Sequence, residues 1–279
     1  MSGARRAGRH LAVVWMAACG PAPEPCNGVA ATCERPLPDV VFAGSHNAMS
    51  NAAEGWLLPN QDDPPAAQLE RGVRAMLIDT YLWQGEAYLC HTVCEAGATR
   101  LVDFLAEVDT FLDAHPREVL IFVVQDGLAP GPTRDALEAS GVWPRLYLHD
   151  GGAWPTLAEL IDSDQRVLWT VESGAPEAPD WYTSFYDVGF DTPYTFREPS
   201  EFSCDVLRGE AGADLFLINH WISDPFPSRT GAEQVNTADA LRARVADCEA
   251  AHGRLPTVLA VDFSAVGDLV EVVAALNEG

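Results

Sequence analysis

Short apolar segments that alternate with helical patterns constrain the fold of this chain more than any other feature of its sequence. Seven such segments lie at residues 39–44, 75–80, 87–90, 119–124, 166–171, 215–218 and 258–261. Unbroken apolar strands between helices are typical of a parallel sheet that is covered on both faces. For a chain of 279 residues, this repetition predicts an α/β fold, a distorted (β/α)8 TIM-type barrel. The chain has no glycine-rich dinucleotide motif, P-loop or Gly-x-Ser-x-Gly motif, which argues against nucleotide-binding folds and α/β-hydrolases.

Polar residues end most of these segments. His46 follows the first, Asp79 ends the second and His91 follows the third, while the irregular segment 51–65 reads as a long loop over the site. The carboxyl ends of barrel strands meet at one mouth, where enzymes of this fold keep their catalytic groups. Taken alone, Asp79 and His91 also fit a turn cap and a satisfied, semi-buried histidine.

Two histidines at one barrel mouth are suited to phosphodiester cleavage. One imidazole takes a proton from the attacking hydroxyl, and the other gives a proton to the leaving oxygen. The charge that develops on the phosphoryl oxygens needs a cation, either an arginine or a metal. His46 and His91 are therefore the candidates for this pair of proton-transferring groups.

The charge of the chain limits its partners. There are 41 acidic residues against 17 basic residues, all of them arginine, and the net charge is -24. Such a chain repels nucleic acids and anionic lipid surfaces at long range. We therefore predict no nucleic-acid partner. The predicted partner is a phosphodiester or phospholipid substrate, and the chain is expected to be a monomer.

The first residues have the pattern of an export signal. Three arginines precede the apolar run 11–16, and small residues lead to Cys19, as in a bacterial lipobox. The prediction is a signal peptide at 1–18, a flexible tether at 19–38 and a barrel domain at 39–279. The protein would then be exported, either as a cell-envelope lipoprotein anchored at Cys19 or in secreted form.

The six cysteines other than Cys19 favour disulfides, because exported chains mature under oxidising conditions. Two local pairs close short loops, Cys26 with Cys33 and Cys90 with Cys94, which leaves Cys204 with Cys248. Other pairings of six cysteines exist, so this connectivity is a preference. The second pair would hold the loop that carries His91.

Spaced sequence blocks resemble a known family. They are Ala43-Gly44-Ser45-His46-Asn47-Ala48-Met49-Ser50, Gly72-Val73-Arg74, Leu77-Ile78-Asp79-Thr80-Tyr81, Leu89-Cys90-His91, His115-Pro116-Arg117-Glu118-Val119, Asp150-Gly151-Gly152 and Val261-Asp262-Phe263. Together these blocks resemble the X domain of phosphatidylinositol-specific phospholipases C, and most of all the secreted PLC-like phosphodiesterases.

The resemblance implies roles for particular residues. His46 matches the general base, His91 the general acid and Asp262 the acid that supports the base. Asn47 and Asp79 match calcium ligands of the eukaryotic members, and Asp126 is a third candidate ligand, so Ca²⁺ is the implied cofactor. Asp79 is also expected to support catalysis.

This chain departs from the family at its phosphate site. Leu77 and Gln125 stand where calcium-binding members have glutamates, and Asp79 stands where metal-free bacterial members have an arginine. Asn47 replaces the aspartate that orients the acid histidine in those bacterial members. A hard cation needs several anionic oxygens, so the sequence leaves the neutralisation of phosphate charge open.

Three further residues are candidate substrate ligands. They are Arg74, His220 and Trp221, of which the last two would floor a ring-binding pocket. Arg74 also fits a structural ion pair, the more common role of a buried guanidinium, and a tryptophan at a strand end also fits rim packing. Glu172 fits either a site acid or a turn residue.

The favoured function is a phosphoric diester hydrolase of phospholipase C type that acts on a phosphatidylinositol-like or related phosphodiester. Leu77 and Gln125 motivate a second possibility, a catalytically weakened barrel that serves as a surface lipoprotein or binding module. A third is a metal-dependent glycerophosphodiester phosphodiesterase, which requires a fuller cluster of carboxylates.

Overall fold

A single curved sheet of eleven strands organises the part of the chain described by this computed structural model, residues 3, 24–174 and 178–279. The strands are β1 Phe42–Ser45, β2 Ala75–Trp83, β3 Glu86–Cys90, β4 Ala98–Arg100, β5 Leu120–Gly127, β6 Leu146–Tyr147, β7 Val167–Val171, β8 Gly189–Asp191, β9 Arg208–Gly209, β10 Leu215–His220 and β11 Val258–Val261. The α-helices are α1 Pro65–Arg71, α2 Leu101–Ala114, α3 Pro130–Ser140, α4 Leu157–Asp162, α5 Phe185–Val188, α6 Arg229–Val235, α7 Ala238–His252 and α8 Leu269–Glu278.

The strand order explains how the sheet curls. Its strands run β6-β7-β5-β2-β1-β11-β10-β8-β9. All neighbours from β6 to β8 are parallel, whereas β9 is antiparallel to β8, and β3 and β4 form an antiparallel branch on β2. Between β7 and β8 the described residues contribute only an isolated bridge from Val171 to Ser184. The predicted distorted barrel is confirmed, with this gap in its wall.

Strand periodicity divides the apolar residues between two layers. Leu77 and Val123 point into the barrel and belong to its interior cluster. The alternate residues Ile78 and Val124 belong to a second cluster with the buried face of α2. Since successive side chains of a strand point to opposite faces, both faces of β2 and β5 are covered. This arrangement explains their unbroken apolar runs.

The second strand is longer than its sequence predicts. The pattern indicates an end at Thr80, but β2 continues to Trp83, which pairs with Glu86 of the antiparallel β3. Gln84 and Gly85 form the turn with positive φ values of 53° and 84°, as in a tight hairpin. Asp79 therefore lies inside a strand, and His91 follows a strand that runs in the opposite direction.

The predicted flexible tether is wrong for residues 24–38. Cys26 and Leu37 are fully buried in the interior cluster. The amide of Asn27 donates to the carbonyl of Val119 at 3.1 Å and accepts from its N–H at 2.7 Å, so this segment closes the amino-terminal end of the barrel.

The predicted signal peptide and Cys19 lie outside the described residues. None of the described helices is long and apolar enough to cross a bilayer.

Three disulfides join the predicted cysteine pairs. They link Cys26 to Cys33, Cys90 to Cys94 and Cys204 to Cys248, with sequence separations of 7, 4 and 44 residues. The first fastens the segment before β1, the second closes the loop after β3, and the third ties the segment after α5 and β8 to α7. The second and third bonds therefore hold an irregular connection against a regular element, whereas the first closes a loop within one irregular segment.

We expect the Cys204–Cys248 bond to contribute most to stability. In the chain-entropy account, a bond that closes a longer loop removes more freedom from the unfolded state. Replacing both cysteines by alanine should cost about 4 kcal/mol for the Cys204–Cys248 pair and about 2 kcal/mol for the Cys26–Cys33 pair. The free energy of unfolding in urea measures both values. Equal losses for the two pairs would contradict this expectation.

Candidate active site

His46 and Asp262 form a pair at the mouth of the barrel. His46 follows β1 and Asp262 follows β11, and the parallel register that aligns Ser45 with Val261 brings the two side by side. Nδ1 of His46 lies 2.8 Å from Oδ1 of the buried Asp262. Because a carboxylate accepts hydrogen bonds, Nδ1 carries the proton and Nε2 is the atom that can receive one.

Trp221 fixes the plane of the His46 ring. The two rings stack with centroids 3.8 Å apart and an angle of 4° between their planes. Trp221 follows β10, the strand next to β11 in the sheet. The His46 ring is therefore held by a carboxylate at its edge and an aromatic ring on its face.

His91 reaches the same mouth from the loop after β3. The Cys90–Cys94 bond closes this loop, and the N–H of Val93 donates to the carbonyl of His91 at 2.7 Å. Nε2 of His91 lies 3.3 Å from Nδ2 of Asn47. Burial and the nearby His46 lower the pKa of His91, while Asp262 acts in the opposite direction.

These groups surround one cavity of about 460 Å³ at the carboxyl ends of the parallel strands. Its lining includes His46, Asn47, Asn60, Leu77, Asp79, His91, Gln125, Glu172, Tyr194, Arg208, Asn219 and Trp221. The structure thus brings both histidines and Asp79 to one cavity, with Asp262 directly behind His46.

Asp79 is a buried carboxyl in the wall of this cavity. It is 6% exposed and lies beside Gln125 of the neighbouring strand. Burial raises the pKa of Asp79 to about 7, with His46 opposing the rise and Glu172 adding to it. At neutral pH, a carboxyl with this pKa is present in substantial amounts in both its neutral and its ionised form.

The predicted calcium ligands do not form a calcium site. Asp126 faces away from the cavity, where its carboxylate accepts from the N–H of Ser173 at 2.8 Å and from the hydroxyl of Tyr182 at 3.4 Å. Among the described residues, no three His, Cys, Asp or Glu side chains are grouped to hold a metal. The donor set that remains, Asn47 and Asp79, has one carboxylate and does not fit a cation that takes six to eight oxygens.

The structure also overturns the prediction that Arg74 binds substrate. Its guanidinium donates to Glu118 at 2.6 Å and to the carbonyls of Leu69 and Val73. Arg74 directly precedes β2, so it lies at the amino end of the barrel, opposite the cavity. It is a structural ion-pair partner.

The prediction that His220 is a substrate ligand is wrong, because His220 is a core residue. It is 1% exposed, and its Nε2 donates to the carbonyl of Val235 at 2.9 Å. Burial lowers the pKa of His220 to about 4, with the bond to Val235 opposing the change. The neighbouring Asn219 and Trp221, which point to the other side of the strand, line the cavity instead.

The cavity wall contains Arg208, which the sequence pattern did not reveal, beside Glu172, which fitted either a site acid or a turn residue. The guanidinium of Arg208 donates to Asp191 at 2.5 and 3.0 Å and is 3.1 Å from Glu172. It lies over the rings of Tyr186 and Tyr194, at 4.6 and 5.0 Å from their centroids. Burial raises the pKa of Glu172, which Arg208 opposes. The sequence around Arg208 has no helical or strand periodicity. Its isolated basic charge was therefore the one signal that could have marked Arg208 as a site residue.

The loop between β1 and α1 is fastened to the site by two amides that were also missed. Asn60 donates from Nδ2 to Asp262 at 3.0 Å. Gln61 donates from Nε2 to the carbonyl of His46 at 2.7 Å and accepts from the N–H of Ser264 at 2.9 Å. The predicted loop over the site is therefore anchored to the site by the buried Asn60 and Gln61.

Comparisons with known proteins agree with this architecture. The family model described as PI-PLC X 1 matches residues 32–277. PI-PLC X domain-containing protein 1 of Arthroderma benhamiae is 29% identical over 279 residues, which cover 90% of this chain and 89% of that protein. An uncharacterized secreted protein of the same fungus is 25% identical, covering 91% of this chain and 64% of its own length.

A plant relative and two solved structures extend the similarity. A PI-PLC X domain-containing protein of Arabidopsis thaliana is 26% identical, and the match covers 84% of this chain and 60% of that protein. The phosphatidylinositol-specific phospholipase C of Listeria monocytogenes has a TM-score of 0.61 at 15% identity, covering 88% of this chain and 96% of its own. A mutant of the Staphylococcus aureus enzyme has a TM-score of 0.57 at 14% identity, covering 88% and 95%. The chain belongs to the PI-PLC X family.

Proposed function

We propose that this chain is a phosphoric diester hydrolase of phospholipase C type that uses His46 as general base and His91 as general acid. One observation carries the proposal: the His46–Asp262 pair and His91 meet at a single cavity. Family membership and the barrel fold support the broader statement that the chain is a phospholipase C-like phosphodiesterase.

The geometry supports a balanced sequence of proton transfers. Asp262 holds the proton on Nδ1 of His46, so Nε2 removes the proton from a hydroxyl next to the phosphate. The hydroxyl oxygen attacks phosphorus while the bond from phosphorus to the leaving alcohol breaks. Protonated His91 supplies the proton that the leaving oxygen needs. The first product is a cyclic phosphodiester.

In place of a cation, Asp79 supplies a hydrogen-bond donor for the phosphoryl oxygens. Because burial raises its pKa to about 7, the carboxyl is neutral in a large fraction of molecules at neutral pH. A neutral carboxyl donates a hydrogen bond to a phosphoryl oxygen, whereas an ionised one repels it. Catalysis is therefore favoured on the acidic side of neutrality.

The wall formed by Glu172, Tyr194 and Arg208 suits a polyhydroxyl head group. Carboxylate and guanidinium accept and donate hydrogen bonds to hydroxyls, and the Tyr194 ring offers a flat surface beside them. This supports a phosphatidylinositol-like substrate or a related phosphodiester with a sugar-like alcohol.

Three disulfides support export of the chain, because such bonds persist in oxidising compartments. A related fungal protein is itself named as secreted. We propose a secreted or envelope location; lipidation of Cys19 and a monomeric state stay predictions.

The catalytically weakened binding barrel is the second candidate. Leu77 and Gln125 favour it, because they leave the cavity without the glutamates that the sequence resemblance places there. Absence of turnover by the purified protein on phosphatidylinositol and soluble glycerophosphodiesters, with and without calcium, would favour this alternative.

We expect His46→Ala and His91→Ala each to lower kcat on phosphatidylinositol by about a hundredfold or more, because each removes one proton transfer. His115→Ala is the matched control, since His115 pairs with Glu70 on the surface. Turnover of phosphatidylinositol in mixed micelles measures the effect. Unchanged rates in folded variants would refute the assignment.

The two histidines should respond differently to the leaving group. A nitrophenol leaves without a proton, so His91→Ala should lose about a hundredfold with an alkyl ester and less than about tenfold with the nitrophenyl ester of inositol phosphate. His46→Ala should lose activity on both. Equal losses with both substrates in His91→Ala would show that His91 is not the acid.

The pH profile should place the alkaline limb of kcat/KM below the ordinary histidine pKa of about 6.5. The acid must be protonated, and burial lowers the pKa of His91, so the active fraction falls as pH rises through that lowered value. In His91→Ala with the nitrophenyl substrate this limb should be replaced by one near pH 7, where Asp79 ionises. A limb well above pH 7 would contradict the assignment.

Chelation of calcium should change turnover by less than about twofold, because the donor set has too few carboxylates. The double variant Leu77→Glu/Gln125→Glu adds two carboxylates to the same wall and should acquire calcium-dependent turnover. Titration of both proteins with EGTA and calcium tests this pair of expectations. Abolition of wild-type turnover by EGTA would contradict the first.

A further inference from the structure

Asn60 connects the two candidate catalytic histidines through a chain of hydrogen bonds. Nδ1 of His46 is 2.8 Å from Oδ1 of Asp262, and Nδ2 of Asn60 donates to the same oxygen at 3.0 Å. Nδ2 of Asn47 is 3.3 Å from Oδ1 of Asn60 and 3.3 Å from Nε2 of His91. The chain therefore runs from the base, through one carboxylate and two amides, to the acid.

The direction of each hydrogen bond follows from the carboxylate. Oδ1 of Asp262 can only accept from these two neighbours, so Asn60 must present its NH₂ group there and its carbonyl to Asn47. Asn47 must then present its NH₂ group to both Asn60 and His91. Nε2 of His91 is left with one possible role, that of an unprotonated acceptor.

Burial keeps the chain from reversing. Asn60 is 1% exposed, Asn47 4% and Asp262 2%. Turning the Asn60 amide would set its carbonyl against the carboxylate, and turning that of Asn47 would set two carbonyls against each other. Buried polar groups without partners are costly. The backbone of Asn60 is also anchored, since it donates to Ser50 at 3.0 Å and accepts from Phe263 at 2.7 Å.

We propose that Asn60 is a positioning residue that transmits the hydrogen-bond polarity of Asp262 to His91, so that the neutral His91 ring carries its proton on Nδ1. The inference takes the catalytic roles of the histidines from the proposed function. The tautomer, however, follows from the contacts alone and holds whether or not the protein has turnover.

The chain has a consequence for the acid. A protonated His91 places an N–H at Nε2 against the NH₂ group of Asn47, which disfavours the imidazolium. The charged groups that face His91 are His46 after β1 and Asp262 after β11, and neither offers Nε2 an acceptor. The imidazolium of His91 is thus made a stronger acid at Nε2, and transfer of that proton to a leaving oxygen leaves the neutral ring with its proton on Nδ1.

The test is a long-range proton–nitrogen NMR spectrum of ¹⁵N-histidine-labelled protein at alkaline pH. The ring of His91, assigned by its loss in His91→Ala, should show an unprotonated Nε2 and a protonated Nδ1. A wild-type ring protonated at Nε2 would overturn the proposal. This reading needs no enzyme activity, so an inactive protein with the expected tautomer refutes only the proposed function.

The variant Asn60→Ala tests whether Asn60 is the transmitting residue. In Asn60→Ala, the amide of Asn47 is free to turn and accept from Nε2, so the Nε2–H tautomer should appear. The alkaline limb of kcat/KM should also move up by about one pH unit or more, the size expected for a hydrogen bond to a charged group. An Asn60→Ala spectrum identical to that of the wild type would overturn the proposal.

The matched control is Asn51→Ala in the same loop. Asn51 is fully buried but bonds to Met49 and Glu54, away from the histidines, so its loss should leave the His91 tautomer unchanged. If Asn60→Ala does not fold, Asn47→Asp decides the question. Its carboxylate can only accept, so His91 should become protonated at Nε2; an unchanged tautomer there would contradict the proposal.

Discussion

The hydrogen bond between His46 and Asp262 depends on the register of two parallel strands, and much of the site depends on it in turn. The N–H of His46 donates to the carbonyl of Val261 at 2.9 Å, so the first and last strands of the barrel meet at this pair. Trp221 covers the imidazole, and Asn60 shares the carboxylate oxygen. Closure of the barrel at β1 and β11 therefore does more than complete the sheet, because it assembles the His46–Asp262 pair from opposite ends of the chain.

The sequence predicted the strands but not always the face on which their side chains lie. Asp79 and Gln125 are aligned on neighbouring strands and point into the barrel, whereas Asp126 points outwards. The same alternation separates Trp221 from His220. A shift of one residue moves a side chain to the other face of the sheet. The fact that a residue lies near a strand end does not show which face its side chain is on. Both histidines of the proposed pair follow their strands directly, which made them easier to predict than residues within strands.

Elements that depend on distant contacts also escaped prediction. The strands β4, β6, β8 and β9 have only two or three residues each, too few to show periodicity. Arg208 reaches the cavity from one of them and is held by Asp191 and Glu172. Its charge is thereby compensated. An anionic substrate entering a chain of net charge -24 would have to rely on local donors, and in the proposed function the buried carboxyl of Asp79 is one of them.

Because of the Cys90–Cys94 bond, the position of His91 depends on whether the chain is in a reducing or an oxidising compartment. The bond closes a loop of five residues around His91, and a reducing cytosol keeps such thiols apart. In a chain whose Cys90 and Cys94 are reduced, the register of β1 and β11 still aligns His46 with Asp262, whereas the loop that carries His91 lacks its bond. Assembly of the proposed catalytic pair would then coincide with oxidation of these two cysteines.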